Sequence, residues 1–233
     1  MHVLAVVHGD EVRSGVFADP IAAAGHELEE WSIARSSAPS RPPEAYDAAI
    51  VFGGSMHADE EETHPWLRDE EALLRGFLAV GTPVLGVCLG GQLVAKAAGA
   101  WVGRASEPEI GWHEVELTPA AASDPLFARL PRRFQALQWH YYAFETPESG
   151  VELARSPVCS QAFRLGKFAW ALQFHPEVTL AMVEQWLEEP EEMDFDREAL
   201  RRETHAQIEE WNAVGRELAA SFVAVAERLQ LAA

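Results

Sequence analysis

Cysteine, basic residues and long apolar segments are all scarce in this sequence. Its 233 residues include 2 cysteines, too few for a disulfide framework and typical of a reducing compartment. The 18 basic residues against 37 acidic ones give a formal net charge of −19, which argues against nucleic acid or an anionic membrane as a main partner. No segment approaches transmembrane length, and the apolar run 3–7 is too short for the core of a signal peptide. We therefore expect a cytoplasmic protein.

Sequence signatures for metal and nucleotide binding are also missing. The 9 histidines show no His-x3-His spacing, and neither a Gly-x-Gly-x-x-Gly nor a Walker segment is present. We predict that the chain uses no metal and no cofactor. Cys159 has no flanking glycines and no adjacent base, so we expect it to be structural.

What the sequence does contain is a regular alternation of short apolar runs and helical patterns. Five runs predict buried strands, at residues 3–7, 48–52, 84–87, 151–154 and 168–174. The alternation predicts an α/β fold with a doubly wound, mostly parallel sheet and a site at the carboxyl ends of its strands. Residues 101–138 are extended and rich in turns, which predicts a small antiparallel excursion.

The most informative segment is Gly86-Val87-Cys88-Leu89-Gly90-Gly91-Gln92-Leu93. It forms a Gly-x-Cys-x-Gly turn between a predicted strand and a predicted helix, the thiol counterpart of a nucleophile elbow. Glycines on both sides remove Cβ atoms that would clash in such a strained turn. The start of the helix favours a thiolate, so the pattern predicts a reactive Cys88. A buried structural cysteine is the alternative interpretation.

A second segment, Gln173-Phe174-His175-Pro176-Glu177, lies far downstream. In an extended chain His175 and Glu177 point to the same side, because they are two residues apart. An imidazole with a carboxylate beside it supplies a base and the group that orients it. Together with the cysteine elbow, this segment predicts nucleophilic catalysis.

These two segments resemble the class I (triad) glutamine amidotransferases, which hydrolyse the side-chain amide of glutamine. The resemblance covers roughly residues 1–180. It implies a flavodoxin-like fold, with Cys88 as the nucleophile, His175 as the general base and acid, and Glu177 as the orienting carboxylate. It also implies that Gln92, four residues after the nucleophile, contacts bound glutamine.

A glycine-rich loop follows the second of these apolar runs, at Gly53-Gly54-Ser55. Acyl transfer needs two N–H groups that already point at the oxyanion of the tetrahedral intermediate. We predict that Leu89, the residue after the nucleophile, supplies one N–H, and that Gly54 supplies the other. Gly53 is a predicted substrate contact. Compared with the family, Ser55 replaces a proline in this loop.

The segment Gln138-Trp139-His140-Tyr141-Tyr142 occupies the place of a Trp-His-Gly-Asp-like stretch in the family, which holds the amino-acid end of the substrate. We therefore predict Trp139, His140 and Tyr141 to be substrate-binding residues. Two tyrosines stand where small and acidic residues are common, and they should narrow that side of the pocket. Aromatic packing in a core strand is the alternative for each tyrosine.

The sequence changes character past residue 180. Apolar residues recur there at spacings of three and four, at Ile208, Trp211, Gly215, Leu218, Phe222, Val225 and Leu229. The spacing predicts an amphipathic helix of about six turns. We expect an amidotransferase-like catalytic domain over residues 1–180 and a helical C-terminal extension over residues 181–233. The apolar stripe packs either on its own domain or at a homodimer interface.

The sequence thus predicts cysteine-dependent hydrolysis of a γ-glutamyl amide through a γ-glutamyl thioester. The expected partner is a small-molecule γ-glutamyl substrate, with a separate synthetase subunit if the ammonia is transferred. One alternative is a stand-alone γ-glutamyl peptidase acting on glutathione-like conjugates. Another is a non-catalytic regulator or redox sensor in which Cys88 is an oxidisable thiol.

Overall fold

The computed structural model describes residues 1–9, 12–36 and 38–231. Within these ranges the strands are β1 (His2–Val7), β2 (Glu27–Ser32), β3 (Ala48–Val51), β4 (Val84–Val87), β5 (Val102–Leu117), β6 (Arg133–Phe144), β7 (Gly150–Arg155), β8 (Ser160–Leu165) and β9 (Ala169–Leu172). The α-helices are α1 (Ala18–Ala23), α2 (Trp66–Val80), α3 (Leu89–Ala97), α4 (Leu180–Trp186) and α5 (Arg197–Gln230).

All nine strands belong to one mixed sheet with the order β2-β1-β3-β4-β9-β8-β7-β5-β6. The first five strands in this order run parallel, and the remaining four are antiparallel to their neighbours. The predicted α/β fold with a helical C-terminal segment is confirmed. The antiparallel part is larger than the predicted small excursion, because β5 and β6 form a long pair that β7 and β8 join to the parallel strands.

Helices cover both faces of the parallel half of the sheet. Side chains alternate along each strand, so Val3 and Ala5 of β1 join one hydrophobic cluster while Leu4 and Val6 join the other. The first cluster includes α4 and α5, and the second includes α2 and α3. Burial on both faces explains why these strands appear in the sequence as continuous apolar runs.

Helix α5 is longer than the predicted helix, because it begins at Arg197. The Asp196 side chain accepts a hydrogen bond from the Ala199 N–H and caps its start. Its apolar stripe faces the chain's own core, where it contacts α1 and the turn before α1. No helix in the described ranges is both long enough and apolar enough to cross a membrane.

Candidate active site

Cys88 occupies the sharp turn that joins β4 to α3. Its φ of 52° is the only positive φ of a non-glycine residue in the part of the chain that the structure describes. A Cβ atom at Gly86 would lie 2.5 Å from the Gly90 oxygen, and one at Gly90 would lie 2.0 Å from the Val51 oxygen. The Cys88 N–H donates to the Leu172 oxygen at 2.8 Å. The turn is therefore held tightly between β3 and β9, and both flanking glycines are sterically required.

His175 and Glu177 follow β9, the strand beside β4. His175 Nδ1 lies 2.8 Å from Glu177 Oε1, and both side chains are buried. Burial lowers the pKa of His175, but the charges of Glu177 and Cys88 outweigh burial and raise that pKa to about 10. The Trp186 ring packs edge-on against the imidazole at 5.0 Å. This environment stabilises an imidazolium next to the Cys88 thiol.

The backbone around His175 is held from two sides. The His175 N–H donates to the Leu137 oxygen of β6 at 2.9 Å, and the indole N–H of Trp211 of α5 donates to the His175 oxygen at 2.8 Å. A Cβ atom at Gly215 would lie 2.0 Å from the Pro176 oxygen, so α5 approaches this segment as closely as a glycine allows. The long C-terminal helix therefore fixes the position of His175, a role that the sequence did not reveal.

The Gly53-Gly54 loop follows β3 and faces the same turn. A Cβ atom at Gly53 would lie 3.0 Å from His175 Cε1 and 3.5 Å from Cys88 Cβ. Leu89 is the first residue of α3, where backbone N–H groups have no partner within the helix. The structure thus brings Gly53, Gly54 and Leu89 together around Cys88.

A buried histidine that the sequence analysis missed lies behind this loop. His8 directly follows β1, and its Nδ1–H donates to the Gly53 oxygen at 2.7 Å. Glu70 of α2 places both carboxylate oxygens 2.9 Å from His8 Nε2, and neither side chain is exposed. The His8 ring also stacks on Trp66 at 5.3 Å. The sequence signal is only that His8 directly follows the apolar run 3–7, as Gly53 follows the run 48–52; the pairing of β1 with β3 brings the two residues together.

A cavity of about 490 Å³ opens above Cys88. It is lined by Val12, Gly54, Ser55, Met56, His57, Cys88, Leu89, Gln92, Trp139, His140, Tyr141, Tyr142, His175, Trp186, Glu189, Pro190, Glu191 and Glu192. Of the predicted site residues, only Gly53 and Glu177 are not in its wall, and Glu177 lies behind His175. The segment 189–192 between α4 and α5 was not predicted.

Glu191 connects the segment 189–192 to β6 by two hydrogen bonds. It accepts hydrogen bonds from Trp139 Nε1 at 2.7 Å and from the Tyr141 hydroxyl at 2.8 Å. Burial and the bond to Glu191 raise the pKa of Tyr141 to about 12, so its hydroxyl remains a donor at neutral pH. These bonds hold Trp139 and Tyr141, two of the predicted substrate-binding residues, in the cavity wall.

Gln92 lies one turn into α3 and connects the helix to β6. Its side-chain amide donates to the Tyr142 oxygen at 3.0 Å and approaches Gln173 Oε1 at 3.4 Å. Tyr142 itself stacks on His57 at 4.1 Å at the edge of the cavity. The amide of Gln92 is therefore held in a fixed orientation beside the nucleophile.

His140 contacts a buried polar cluster beneath the cavity. Glu109, His140 and Cys159 each place one atom that could hold a metal within 4.8 Å of the others. However, Glu109 Oε2 already accepts bonds from the Ser156 hydroxyl at 3.0 Å and the Gln161 amide at 2.9 Å. Burial and the neighbouring Glu109 raise the pKa of Cys159 to about 12, which keeps the thiol protonated. His140 Nε2 lies 3.2 Å from Glu109 Oε2, and burial lowers the pKa of His140.

Comparison with known proteins identifies the family. The family model for class I glutamine amidotransferase matches residues 18–188, which is well over half of the chain. The chain belongs to this family. This amidotransferase-family chain is 30% identical over 220 residues to the putative glutamine amidotransferase-like protein YfeJ of Salmonella typhimurium, with 91% of each chain covered. Family membership is consistent with glutamine hydrolysis.

Two further comparisons concern fold and length. The structure of a glutamine amidotransferase from Thermotoga maritima superposes with a TM-score of 0.87 at 30% identity, covering 96% of this chain and 98% of that one. A glutamine-hydrolysing GMP synthase of Aeropyrum pernix is 40% identical over 133 residues. The match covers 56% of this chain but only 24% of the synthase.

Proposed function

We propose that this amidotransferase-family chain hydrolyses γ-glutamyl amides, with Cys88 as the nucleophile, His175 as the acid and base, and Glu177 as the orienting carboxylate. The observation that supports this most is that the strained Cys88 turn and His175 line one cavity, with Glu177 buried 2.8 Å behind the imidazole. Nucleophile, base and orienting group are the three parts that acyl transfer through a covalent intermediate needs.

In the first half of the reaction, the Cys88 thiolate attacks the γ-carbonyl carbon of the substrate. The carbonyl oxygen becomes an oxyanion that accepts hydrogen bonds from the N–H groups of Gly54 and Leu89. His175 then donates its Nε2 proton to the departing nitrogen, and the carbon–nitrogen bond breaks. A γ-glutamyl thioester remains on Cys88, and ammonia leaves when the substrate is glutamine.

In the second half, water enters on the side that the amine has left. His175, now neutral, takes a proton from this water as its oxygen attacks the thioester carbonyl. The tetrahedral intermediate collapses, glutamate leaves, and the Cys88 thiolate is restored beside the imidazolium. Glu177 accepts the Nδ1–H bond throughout and keeps Nε2 directed at the reacting atoms.

The walls of the cavity suit the amino-acid end of a γ-glutamyl group. We propose that Gln92, Trp139, His140 and Tyr141 bind this end, with Gly53 allowing close approach of the substrate to the backbone. A γ-glutamyl peptidase is a second candidate, since a cavity of about 490 Å³ falls in the range of pockets for ligands much larger than glutamine.

The test is steady-state turnover by the purified chain on glutamine and on a panel of γ-glutamyl peptides. We expect Cys88→Ala and His175→Ala each to lose at least about 10³-fold in kcat, since the parts of such a site act as a unit. His205→Ala is the matched control for His175→Ala and should retain activity, because its imidazole is exposed and lies outside the cavity wall. Turnover by Cys88→Ala at the wild-type rate would refute the assignment.

The same panel separates the two candidates. Rapid cleavage of peptides without any partner supports the peptidase. Hydrolysis of glutamine that rises sharply when a co-purifying synthetase is added supports a partner-dependent glutaminase, as the similarity to GMP synthases suggests. A redox sensor would show oxidation of Cys88 but no turnover on any substrate.

A further inference from the structure

The sequence of the Gly53-Gly54-Ser55 loop, the proposed donor of a hydrogen bond to the oxyanion, does not itself make the loop rigid. Gly53 and Gly54 are the residues with the greatest backbone freedom, and Ser55 follows them rather than a proline. A preorganised N–H donor contributes to catalysis only if it already points at the developing charge. Some other part of the molecule must therefore fix the Gly53–Gly54 peptide.

A trans peptide links the orientation of its two polar groups. The carbonyl of one residue and the N–H of the next point in opposite directions across the peptide plane, and no cis peptide occurs in the described residues. The Gly53 oxygen accepts a 2.7 Å bond from His8, a buried residue outside the cavity wall. The Gly54 N–H at the other end of the plane is then directed toward the cavity, which Gly54 lines.

Glu70 gives His8 a fixed orientation. Its two carboxylate oxygens each lie 2.9 Å from His8 Nε2, and its side chain is completely buried in α2. A buried carboxylate is costly, and an apolar side chain would serve packing alone at least as well. We therefore attribute the His8–Glu70 pair to its contact with the Gly53 carbonyl rather than to a gain in stability.

We propose that His8, oriented by Glu70, is a positioning residue that turns the Gly54 N–H toward the oxyanion. It touches neither substrate nor reacting atoms, and acts through the Gly53 carbonyl. This inference rests on the proposed hydrolysis of γ-glutamyl amides, and it adds a second His–Glu pair to the one formed by His175 and Glu177.

Four variants test it: His8→Ala, His8→Asn, Glu70→Gln and the control His2→Asn. In His8→Asn the new side-chain amide can still donate to the Gly53 oxygen, whereas the methyl group in His8→Ala cannot. We expect His8→Ala to lose about 10- to 100-fold in kcat with KM changed less than about threefold, below the loss from deleting an oxyanion donor outright. His8→Asn should recover most of this loss. Glu70→Gln should lower kcat about three- to tenfold, because the amide of glutamine holds the His8 ring less firmly than the carboxylate does. His2 lies at the start of the same strand, its side chain is half-exposed, and its variant should match the wild type.

The rate at which iodoacetamide alkylates Cys88 distinguishes a positioning role of His8 from a general disruption of the active site. The thiolate displaces iodide in this reaction, and no oxyanion forms. The alkylation rate should be unchanged in all four variants. Unaltered kcat in His8→Ala, or alkylation that falls in step with kcat, would overturn the proposal. If His8→Ala does not fold, Glu70→Gln decides in its place: an unaltered kcat, or alkylation that falls in step with kcat, would overturn the proposal.

A crystal structure of His8→Ala, or of Glu70→Gln if the alanine variant does not fold, keeps this test distinct from that of the proposed function. A rotated Gly53–Gly54 peptide supports the positioning role even if the wild type hydrolyses nothing on the panel, a result that would refute only the proposed activity. An unrotated peptide refutes the positioning role whatever the activity.

Discussion

The substitution Gly215→Ala should lower kcat, although Gly215 lies in α5 and α5 contributes no residue to the cavity wall. The new Cβ would lie 2.0 Å from the Pro176 oxygen and 2.9 Å from Val16 Cγ2, whereas ordinary contacts begin at 3.4 Å. Because the Pro176 oxygen is backbone, α5 and the segment that carries His175 must move apart by about 1 Å. A shift of that size in a reacting group lowers kcat by about 10²-fold.

The matched control is Gly76→Ala on α2, where a Cβ atom meets nothing within 4 Å. Both substitutions gain the same helix propensity, so the difference between the two variants isolates the overpacking, which costs about 1–3 kcal/mol. At about 2–4 °C per kcal/mol for a chain of this size, Gly215→Ala should melt about 2–12 °C below Gly76→Ala.

Two measurements check this prediction: thermal unfolding by circular dichroism and steady-state kcat on a γ-glutamyl substrate. The expected pattern is a lower melting temperature and a lower kcat for Gly215→Ala, with neither change in Gly76→Ala. If both variants melt together and turn over at the wild-type rate, α5 does not position His175 as the structure indicates.

Two further predictions concern carboxylates near the site. The pKa of His175 is raised from 6.5 to about 10, so its pairing with Glu177 stabilises the fold fully below about pH 6.5, and this contribution is lost as the pH rises through 10. Glu177→Gln should therefore lower the free energy of unfolding most below pH 6.5 and progressively less toward pH 10 in urea titrations, whereas the exposed control Glu148→Gln should show no such trend. A deficit that grows with pH would contradict this sign. Glu191→Ala should release the segment 189–192 from the two aromatic side chains of β6, and raise KM about tenfold, the equivalent of about 1.4 kcal/mol, with little change in kcat. Progress curves over a range of substrate concentrations measure both constants, and a fall in kcat at constant KM would show that Glu191 acts on the chemistry instead.

The parts of the site that could be predicted are those whose geometry is local. The Cys88 turn needs glycines two residues before and after it, and those glycines are visible in the sequence. His175 and Glu177 are two residues apart, so their common direction follows from an extended chain. The three strand ends that carry the Gly53 loop, Cys88 and His175 are adjacent in the sheet, as expected for runs that are buried on both faces.

The parts that could not be predicted depend on contacts between distant segments. Strand β2 has the sequence Glu27-Leu-Glu-Glu-Trp-Ser32 at one edge of the sheet, and it lacks the apolar run that identifies the central strands. The bond from Trp211 to the His175 oxygen joins residues 36 apart, and only the packing of α5 creates it. The same holds for Glu70, which appears in the sequence as one acidic residue of an amphipathic helix but is completely buried.

Because α5 supports His175, the active site cannot be completed until the C-terminal part of the chain has been synthesised. Ribosomes synthesise Cys88 first, then His175, and residues 211–215 later still. The elbow needs only β3, β4 and β9 around it, but the bond to the His175 oxygen and the close approach to Pro176 require a helix that has not yet been translated. During synthesis, Cys88 is therefore present in the chain well before the contacts with α5 fix the position of the His175 imidazole.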